Sequence, residues 1–461
     1  MTSNNTIAWE TIKGLTFTII FEGSALNRDE KLGGNIPSIK KLTRYANGRR
    51  GKTFSFISRE SMRHHLFVTL NKNYPVQWQP APTTAINDVV QFDLTRANIL
   101  THAELDAFGY MFTQSKSAAI TRKGAIGLQK AVSLESWEGD MQFNANHDIA
   151  SRCGAYPDPV NKEEHSSYYK TTFTIDIDKL GCDEWKIVNY EAVNNKLNLY
   201  MTEKGQEVFI ANVEVRENDE GIEEYFLGKE KITFSGNSIC VSKKLMKIDA
   251  KKKHILFDSK ILKKEDAAQG KGKKPTFAVP ETDYTEEDGC YIFSVASFSY
   301  NKDDKSIKVS RVMSFSFEYH RESEGKYMLT SGKNSHIEIA ENGKTAKFIL
   351  DPSDKKERVR NIIHSIKNGM YFHTSGENTG IIPKYIVGAA LTLPIPLFHS
   401  YVDLTKFNDS ILGNDYILKG AVFCQNHMGS DTFDVKEAET NLDTFLNKIG
   451  LGEARDGKTN P

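Results

Sequence analysis

The run LTFTIIFE at residues 15–22 most constrains the fold, because its apolar and β-branched side chains leave no wholly polar face. A short run of this kind is typical of a strand in the centre of a sheet that is covered on both sides. FSFIS at 54–58 predicts a second strand. It leads into a helix in which Met62, Leu66 and Leu70 recur every four residues and form one apolar stripe. The N-terminal part therefore predicts strands and an amphipathic helix around a common core.

Later segments also show the apolar periodicities of strands and amphipathic helices. At 168–178, apolar and polar residues alternate, which predicts a strand with one wet face. SDKKERVRNIIHSIKN at 353–368 predicts an amphipathic helix that ends at Gly369, and VKEAETNLDTFLNKIG at 435–450 predicts another. AELDAFGYMF at 103–112 predicts a short helix. The predicted elements occur in the order strand, helix, strand and, much later, helix and strand. This is the order of a split β-α-β core, ferredoxin-like or RRM-like, with large insertions.

The middle of the chain has a different composition. From about 190 to 350, short β-like runs alternate with charged, glycine-containing turns, which predicts an inserted β-rich region. Within it, residues 243–274 hold twelve lysines against four acids.

Composition excludes several classes of protein. Lys plus Arg equals Asp plus Glu at 60 each, so any signal for a polyanionic partner must be local. The five cysteines are scattered without CxxC spacing, which argues against a disulfide framework or a structural zinc site. The first residues carry no basic and apolar leader, and no apolar run approaches the roughly 18 residues that span a bilayer. We expect a cytoplasmic protein without membrane contact, metal or cofactor.

GRRGKT at 48–53 resembles a phosphate-binding P-loop but lacks its context. The motif needs Gly five residues before its Gly-Lys pair, where this chain has Ala46. It also needs a following helix, where this chain has the strand-like FSFIS. We therefore expect no nucleotide site there.

A local basic stretch is the strongest functional signal. Residues 27–63 contain ten Lys or Arg against three acids. A solvated charged surface explains such a run equally well on charge alone. The small residues around Gly33 and Gly34 allow backbone N–H groups to approach a phosphate, and Arg59 and Arg63 project from the same side of the following helix. That combination favours a nucleic-acid backbone recognised by shape.

Other candidate groups give weaker signals. Asp29 and Glu30 suggest a catalytic carboxylate pair, although two solvated acids paired with neighbouring cations are the favoured explanation. His64 and His65 are adjacent, so they point to different sides of the helix; we expect one to pack and the other to face a ligand. HTSGENTG at 373–380 is either a simple turn or a ligand loop at the same edge as the basic stretch.

An ordered series of motifs resembles a known family: the multi-copy backbone subunit of the type I CRISPR Cascade complex, of the DevR type of the seventh Cas protein family, type I-B-like. The resembling segments are LTFTIIFEGSALNRDEKLGGNIPSIKKL, ISRESMRHHL, ELDAFGYM, RKGAIGLQKAVSLE, HSSYYKTTFTIDIDKLG and TSGENTGIIPKYIVGAAL. They occur in the family's order over roughly residues 14–185 and 355–395. One departure is that TSGENTG lacks the basic residue usual in such families.

The resemblance implies an α+β fold with an RRM-like palm and insertions that form finger and thumb elements. Residues 14–185 would be the N-terminal part of the palm with an inserted finger region. Residues 190–350 would be the β-rich, lysine-bearing insertion, with the thumb as one expected part. Its lysine patch at 243–274 would contact target DNA, contact a neighbouring subunit or form a solvated loop, three options of equal weight. Residues 353–450 would complete the palm and add a terminal helix.

The resemblance also implies a non-catalytic protein that polymerises along CRISPR RNA and presents the guide for pairing with complementary target DNA. Its partners would be other copies of itself in a helical filament, a subunit that binds the 5′ handle, a large PAM-reading subunit and the guide-processing endonuclease. The residues expected to bind RNA are Asn27, Lys31, Lys40, Lys41, Arg44, Arg49, Arg50, Lys52, Ser58, Arg59, Arg63, His64, Arg122, Lys123, Ser375 and Asn378.

Two alternatives stay open from the residues alone. A relative from the type III complexes would cleave target RNA with Asp29 as the loop acid. A stand-alone RNA-binding protein would use the same basic stretch without any Cascade.

Overall fold

The computed structural model describes most of the chain. The described residues are 6–24, 28–31, 37–46, 49–86, 89–113, 119–193, 195–202, 206–218, 222–235, 238–249, 254–262, 277–280, 284–295, 297–311, 314–330, 333–374 and 377–452. The fold is mixed α and β with mostly strands and few helices. Across these ranges, no helix is long and apolar enough to cross a membrane.

The secondary-structure elements are numbered along the chain. The helices are α1 (Arg59–Asn73), α2 (Ala103–Phe108), α3 (His147–Cys153), α4 (Pro352–Asn368) and α5 (Leu442–Lys448). The first strands are β1 (Gly14–Ser24), β2 (Arg28–Lys31), β3 (Pro37–Ile39), β4 (Lys41–Ala46), β5 (Arg49–Ile57), β6 (Thr83–Ile86), β7 (Val89–Phe92), β8 (Gly109–Phe112), β9 (Ile120–Lys123), β10 (Ile126–Leu128), β11 (Ala131–Ser133), β12 (Met141–Ala145), β13 (Pro159–Glu163) and β14 (Ser166–Asp176).

The remaining strands form the insertion and the C-terminal part. The insertion contains β15 (Cys182–Lys186), β16 (Asn189–Val193), β17 (Lys196–Tyr200), β18 (Gln206–Ile210), β19 (Glu214–Glu217), β20 (Glu223–Leu227), β21 (Glu230–Ser235), β22 (Ser238–Ser242), β23 (Met246–Asp249), β24 (His254–Phe257), β25 (Ala278–Pro280), β26 (Tyr284–Glu287), β27 (Cys290–Ser294), β28 (Ser297–Asn301), β29 (Ser306–Arg311), β30 (Ser314–Ser323), β31 (Lys326–Leu329), β32 (His336–Ile339) and β33 (Thr345–Ile349). The last strands are β34 (Met370–Thr374), β35 (Glu377–Ile381), β36 (Pro383–Leu391) and β37 (Ile417–Asn426).

The central sheet has the order β37-β36-β1-β14-β11-β5-β4, with β10 also paired to β14. The predicted core strand β1 lies in its middle, antiparallel to β14 on one side and to β36 on the other. Phe17 and Ile19 are fully buried. The apolar run at 15–22 is therefore a two-sided central strand, as the sequence predicts.

One face of the central sheet, called here the helix face, packs against α1, α4 and α5. The predicted stripe of α1, Met62, Leu66 and Leu70, is wholly buried in this core. Helix α4 also agrees with its prediction: the Asp351 side chain accepts hydrogen bonds from two backbone N–H groups of the first turn, and Gly369 follows with φ of 103°. A left-handed φ of this kind favours glycine.

The opposite face of the sheet, called here the far face, is covered over part of its area. The segment from Ile395 to Val435 packs Phe398, Phe407 and Phe433 onto the far side of β36 and its neighbours. Lys170 on β14 marks the limit of this cover, because its Nζ donates to the carbonyls of His399 and Val402, each at 2.7 Å.

The insertion is built of strands, as expected. A sheet of order β15-β33-β32-β31-β30-β17-β16 forms an aromatic core around Trp185, Phe315 and Phe348, which also receives side chains from residues 81–112. The strands between β17 and β30 enclose a separate core of their own.

Two predicted helices are shorter in the structure. The helix expected over 103–112 ends at Phe108, because Gly109 has φ of 72° and ψ of 177°, a conformation largely reserved for glycine, and β8 follows. Over 435–450, only Leu442–Lys448 is helical. Just before it, Glu439 exchanges backbone hydrogen bonds with Val422 and Cys424 of β37, and these compete with helix formation.

Candidate nucleic-acid interface

The first turn of α1 presents two of the predicted arginines. The Ser58 side chain accepts a hydrogen bond from the Ser61 N–H at 3.2 Å, so it acts as the helix cap. Arg59 is 65% exposed and lies 3.4 Å from Glu60. The guanidinium of Arg63 lies 5.2 Å from the ring centre of Phe108, within cation–π range. Arg59 is thus exposed at the helix start, whereas Arg63 is partly buried against Phe108, and this burial lowers its pKa.

These arginines line an open cleft of about 880 Å³. Its other walls are the β6–β7 hairpin, the β8–β9 hairpin and β10, and the second hairpin places Lys123 in the cleft. The structure therefore brings Lys123 together with Arg59 and Arg63, about 60 positions earlier in the sequence. We call this site the cationic cleft.

Apolar residues of the cationic cleft were not among the predicted site residues. Val90 is 78% exposed and Met111 is 61% exposed, and both line it. The sequence signal for them is weak: TTAINDVVQF at 83–92 has a hairpin-like turn composition between two short β-like runs.

Glycines explain the motif RKGAIG beside the cleft. A Cβ on Gly124 would meet the backbone of Phe108 at 2.7 Å, and a Cβ on Gly127 would collide with the side chain of Thr174. Side chains at these positions would push the β8–β9 hairpin and β10 away from α2 and β14. The glycines therefore set the shape of the cleft wall.

Arg122 was expected to bind RNA, but the structure places it inside the protein. Its side chain is 4% exposed, and its guanidinium pairs with Asp106 at 2.8 Å and also bonds the Asp106 carbonyl. Asp106 in turn pairs with Arg358 of α4 at 2.7 Å. We therefore remove Arg122 from the interface, because its donors hold α2, β9 and α4 together.

Lys41 requires a similar correction. Its Nζ lies 2.6 and 2.7 Å from the carboxylate oxygens of Glu163, which also accepts hydrogen bonds from the Ser38 hydroxyl and the Ile39 N–H. Burial alone would raise the pKa of the Glu163 carboxyl, but these hydrogen bonds bring it below its ordinary value. Lys41 thus neutralises an internal carboxylate.

Strand alternation separates Lys41 from its neighbours. Lys41 is the strand partner of Ser55. The Ser55 hydroxyl hydrogen-bonds the hydroxyl of Tyr169, which lies in the core between the central sheet and its helices. Arg44 is exposed, and its guanidinium lies 4.5 Å from the ring centre of Phe54. Lys40, immediately before β4, is half-buried. Among the predicted cations of this hairpin, Arg44 is thus presented to a ligand and Lys41 is not.

The other predicted residues fall into three groups. Lys52 and His64 are exposed. The backbone of Lys31, Arg49 and Arg50 lies in β2 and β5 and that of Asn378 in β35, but their side chains lie outside the described part of the chain, as do Asn27 and Ser375 entirely.

The two histidines behave as predicted in their packing. His65 stacks on Phe372 of β34 with ring centres 3.8 Å apart, whereas His64 is exposed. Burial, and next the neighbouring His64, lowers the pKa of His65 to about 4. The Thr69 hydroxyl also accepts a hydrogen bond from the Tyr371 N–H at 2.8 Å. The β34–β35 hairpin, which contains the C-terminal glycine motif, is thereby attached to α1.

The lysine patch at 243–274 is partly neutralised within the insertion. Lys244 pairs with Glu230 at 2.8 Å and Lys247 with Asp258 at 3.1 Å, and Lys243 pairs with Glu286. Glu230 and Glu286 lie outside the patch, so their pairs lower the local positive charge below the value that the sequence count suggests. Most of the other lysines of the patch lie outside the described residues.

Comparison with known proteins supplies the family. A family model described as CRISPR-associated negative auto-regulator DevR/Csa2 matches residues 15–411. The CRISPR-associated protein Cas7/Cst2/DevR of Myxococcus xanthus (strain DK1622) is 27% identical over 169 residues, which are 32% of this chain and 52% of that protein. The chain thus spans about half the length of this curated relative.

Solved structures show weaker likeness. The match to a chain of a CRISPR RNA-guided surveillance complex, pre-nicking, has a TM-score of 0.27 and 11% sequence identity. It covers 36% of this chain and 65% of the other chain. The match to a chain of a type IV-B CRISPR complex has a TM-score of 0.23 and 11% sequence identity. It covers 35% of this chain and 73% of the other chain. Since the family model extends over most of the chain, the protein belongs to the DevR/Csa2 family of CRISPR-associated proteins.

Proposed function

We propose that this protein is the guide-RNA-binding backbone subunit of a type I Cascade surveillance complex. Family membership supports the CRISPR context, and one structural observation supports the RNA: Arg59, Arg63 and Lys123 line a single open cleft. Clustered cations at a groove suit a phosphate chain, which they would hold irrespective of base sequence.

The palm of this subunit would be the core of the central sheet. The strands β36, β1, β14 and β10–β11 are adjacent in that order, and α1 and α4 pack on one face. This is the strand order 4-1-3-2 of a split β-α-β unit, with α1 after the first strand and α4 before the last. The order supports an RRM-like palm into which the other elements are inserted.

We assign the thumb to the arm formed by β12, α3 and β13. The two strands pair with each other in a sheet of their own, and Phe143 and Tyr156 on the arm are 64% and 96% exposed. The hairpins between α1 and β10 would form the finger. The arm thereby replaces the β-rich insertion as the place for the thumb.

The guide would contact the start of α1 and continue along the cationic cleft. Arg59, Arg63 and Lys123 would bind its phosphates there, and the cations of the β4–β5 hairpin would extend the contact. Base pairing between guide and target DNA would supply sequence specificity, so the protein needs to recognise only backbone and shape. Other copies of the chain, the 5′-handle-binding subunit, the PAM-reading subunit and the processing endonuclease would complete the particle.

This role requires no catalysis by the chain itself. The alternative, cleavage of target RNA by Asp29, predicts that an assembled wild-type particle cuts complementary RNA and that Asp29→Ala abolishes the cut. We expect intact target RNA with both proteins.

The charge-reversal variant Arg59→Glu/Arg63→Glu tests the proposal. When it is expressed with a CRISPR array and the companion subunits, we expect loss of the copurifying guide RNA, because two phosphate-binding cations become repulsive. Lys419→Glu/Lys436→Glu makes the same change in charge at two exposed positions in and after β37, the opposite edge of the sheet, and should retain the guide.

RNA sequencing, particle sizing and thermal unfolding of the purified proteins give the readouts. Phased repeat–spacer RNA in a multi-subunit wild-type particle, lost only in the Arg59/Arg63 variant with an unchanged unfolding midpoint, would support the assignment. A wild-type protein without such RNA, or a folded Arg59/Arg63 variant that keeps it, would refute it.

A further inference from the structure

The far face of the central sheet carries aromatic side chains where the C-terminal cover stops. The Ser55 hydroxyl lies on the helix face, 2.7 Å from the Tyr169 hydroxyl, so Phe54 and Phe56 project from the far face. Val132 is the strand partner of both Phe56 and Lys170, which places these three residues on the same side.

The uncovered part of this face begins at Lys170. The Lys170 ammonium holds the covering segment by bonds to two of its carbonyls. Beyond that point, Phe54 and Phe56 are half-buried and keep part of their surface accessible, whereas Tyr168 still packs against the covering segment. We call Phe54 and Phe56 the aromatic face.

Each ring of the aromatic face has a cation above it. The Arg44 guanidinium lies 4.5 Å from the ring centre of Phe54, and Lys130 Nζ lies 4.7 Å from that of Phe56. Both cations are exposed.

Positive charge is concentrated at the border of the aromatic face. Burial, followed by the charges of Lys170 and Arg44, lowers the pKa of His399 to about 4. Burial and Arg44 also lower the pKa of Lys170. Mutual repulsion of this kind is relieved when an anion binds between the cations.

Flat rings beside cations on one sheet face match the chemistry of a single nucleic-acid strand. Unpaired bases stack on aromatic rings with little regard for sequence, while cations bind the adjoining phosphates. Phe54 and Phe56 are two residues apart on one strand, about 6.6 Å, so each ring can receive a separate base. A duplex offers no free base surface, and a purely apolar partner would gain nothing from the cations.

We propose that the aromatic face is a stacking platform for unpaired bases of a single-stranded nucleic acid. On binding, Arg44 and Lys130 move from the rings to the phosphates and leave the rings to the bases. This site is separate from the phosphate contacts of the cationic cleft. It would exist whether or not the bound strand is a guide RNA.

Paired substitutions on purified full-length protein, stripped of nucleic acid, test the platform. Phe54→Leu/Phe56→Leu keeps apolar bulk but removes the aromatic rings. Phe298→Leu/Tyr416→Leu removes two exposed rings, one in β28 of the insertion and one just before β37, and serves as the matched control. Affinities for fluorescent oligouridylate, oligothymidylate and a duplex of equal length would be measured by anisotropy at one salt concentration, with thermal unfolding of each variant.

We expect the Phe54/Phe56 variant to lose about tenfold or more in affinity for single strands, because each stacked base contributes strongly to such complexes. Single-strand affinity of the Phe298/Tyr416 control, and duplex binding by all variants, should change little. Equal loss for both oligonucleotides identifies a platform for either strand, and loss for oligouridylate alone identifies one that requires the 2′-hydroxyl. Unchanged affinity for both in a folded variant overturns the inference.

Phe56→Trp gives a direct readout of stacking. The wild type already has four tryptophans, so we expect single strands, and not duplex, to quench the variant's fluorescence more than that of the wild type. If that variant shows no added quenching while guide RNA still copurifies with the wild type, this inference fails and the proposed function stands. If the added quenching occurs but no guide is ever recovered, the proposed function fails instead.

Discussion

At the scale of single residues, neighbouring cations in the basic stretch have different roles. Lys41 neutralises Glu163, whereas Arg44 is exposed on the far face. Farther along, Arg122 is buried against Asp106 while the adjacent Lys123 lines the cationic cleft. The alternation of β9 separates Arg122 from Lys123, whereas Arg44 lies at an irregularity of β4 and its side is shown by its contact with Phe54.

Lys41→Met tests the structural role of this lysine. The change should destabilise the protein by about 1–3 kcal/mol, because Glu163 remains buried without its cation. Adding Glu163→Gln should restore much of that stability, and a double-mutant cycle of denaturant unfolding measures the coupling. Loss of RNA affinity without any loss of stability would instead return Lys41 to the interface.

At the scale of elements, two contacts shape the interface. The β8–β9 hairpin forms a wall of the cationic cleft through the conformation of Gly109, and the β34–β35 hairpin is attached to α1 through His65. Neither contact involves the cations that would bind RNA. Changes here should therefore alter the interface through its geometry.

Gly109→Ala should destabilise the protein by at least about 1–3 kcal/mol, the cost of a non-glycine residue in this backbone region. Its Cβ would also collide with the backbone of Arg122 and Gly124. Gly413→Ala is the control, since a Cβ there meets nothing within 4 Å. Thermal unfolding and oligonucleotide affinity would be compared, and equal behaviour of the two variants would contradict this role.

His65 should make stability depend on pH. Its pKa falls to about 4 in the folded protein because of burial, against an ordinary value of 6.5. Between those values the unfolded chain binds a proton that the folded chain does not, so stability falls as pH decreases from about 6.5 to about 4. His65→Gln should lessen this fall, as measured by unfolding midpoints at pH 7.5 and 5. An identical pH dependence in both proteins would exclude the contribution.

At the scale of the whole molecule, the insertion has two cores that differ in their attachment. The core around Trp185 receives side chains from residues 81–112, so it is continuous with elements near the cleft. The core between β17 and β30 is built from residues 208–309 alone. Because Tyr200 and Ser314 are strand partners, the second core begins and ends at one point of the sheet.

Replacing residues 201–313 by Asn-Gly should therefore leave a folded protein. The two strands would be joined as a hairpin by a two-residue turn of favoured sequence. We expect cooperative thermal unfolding and oligonucleotide affinity within a few-fold of the wild type, because Arg59, Arg63 and Lys123 all remain. Aggregation or loss of cooperative unfolding would show that the distal core supports the rest.

Local sequence spacing was enough to predict the elements with a strong periodicity. The central strand β1, helices α1 and α4, and the strand character of the insertion were all predictable, because burial of an apolar stripe or of a two-sided strand is written in local spacing. It also indicated the basic stretch and the outward direction of Arg59. The shortened helices were not predictable, since a glycine conformation and pairing to a distant strand overrode local preference.

Which charges and rings share a surface depends on long-range contacts in the folded protein. Lys123 joins Arg59 through hairpin pairing, Arg122 is withdrawn by Asp106 and Arg358, and Phe54 and Phe56 become a face because the cover ends at Lys170. The physical reason is that these choices depend on contacts between residues far apart in the chain. Local periodicity carries no information about such partners.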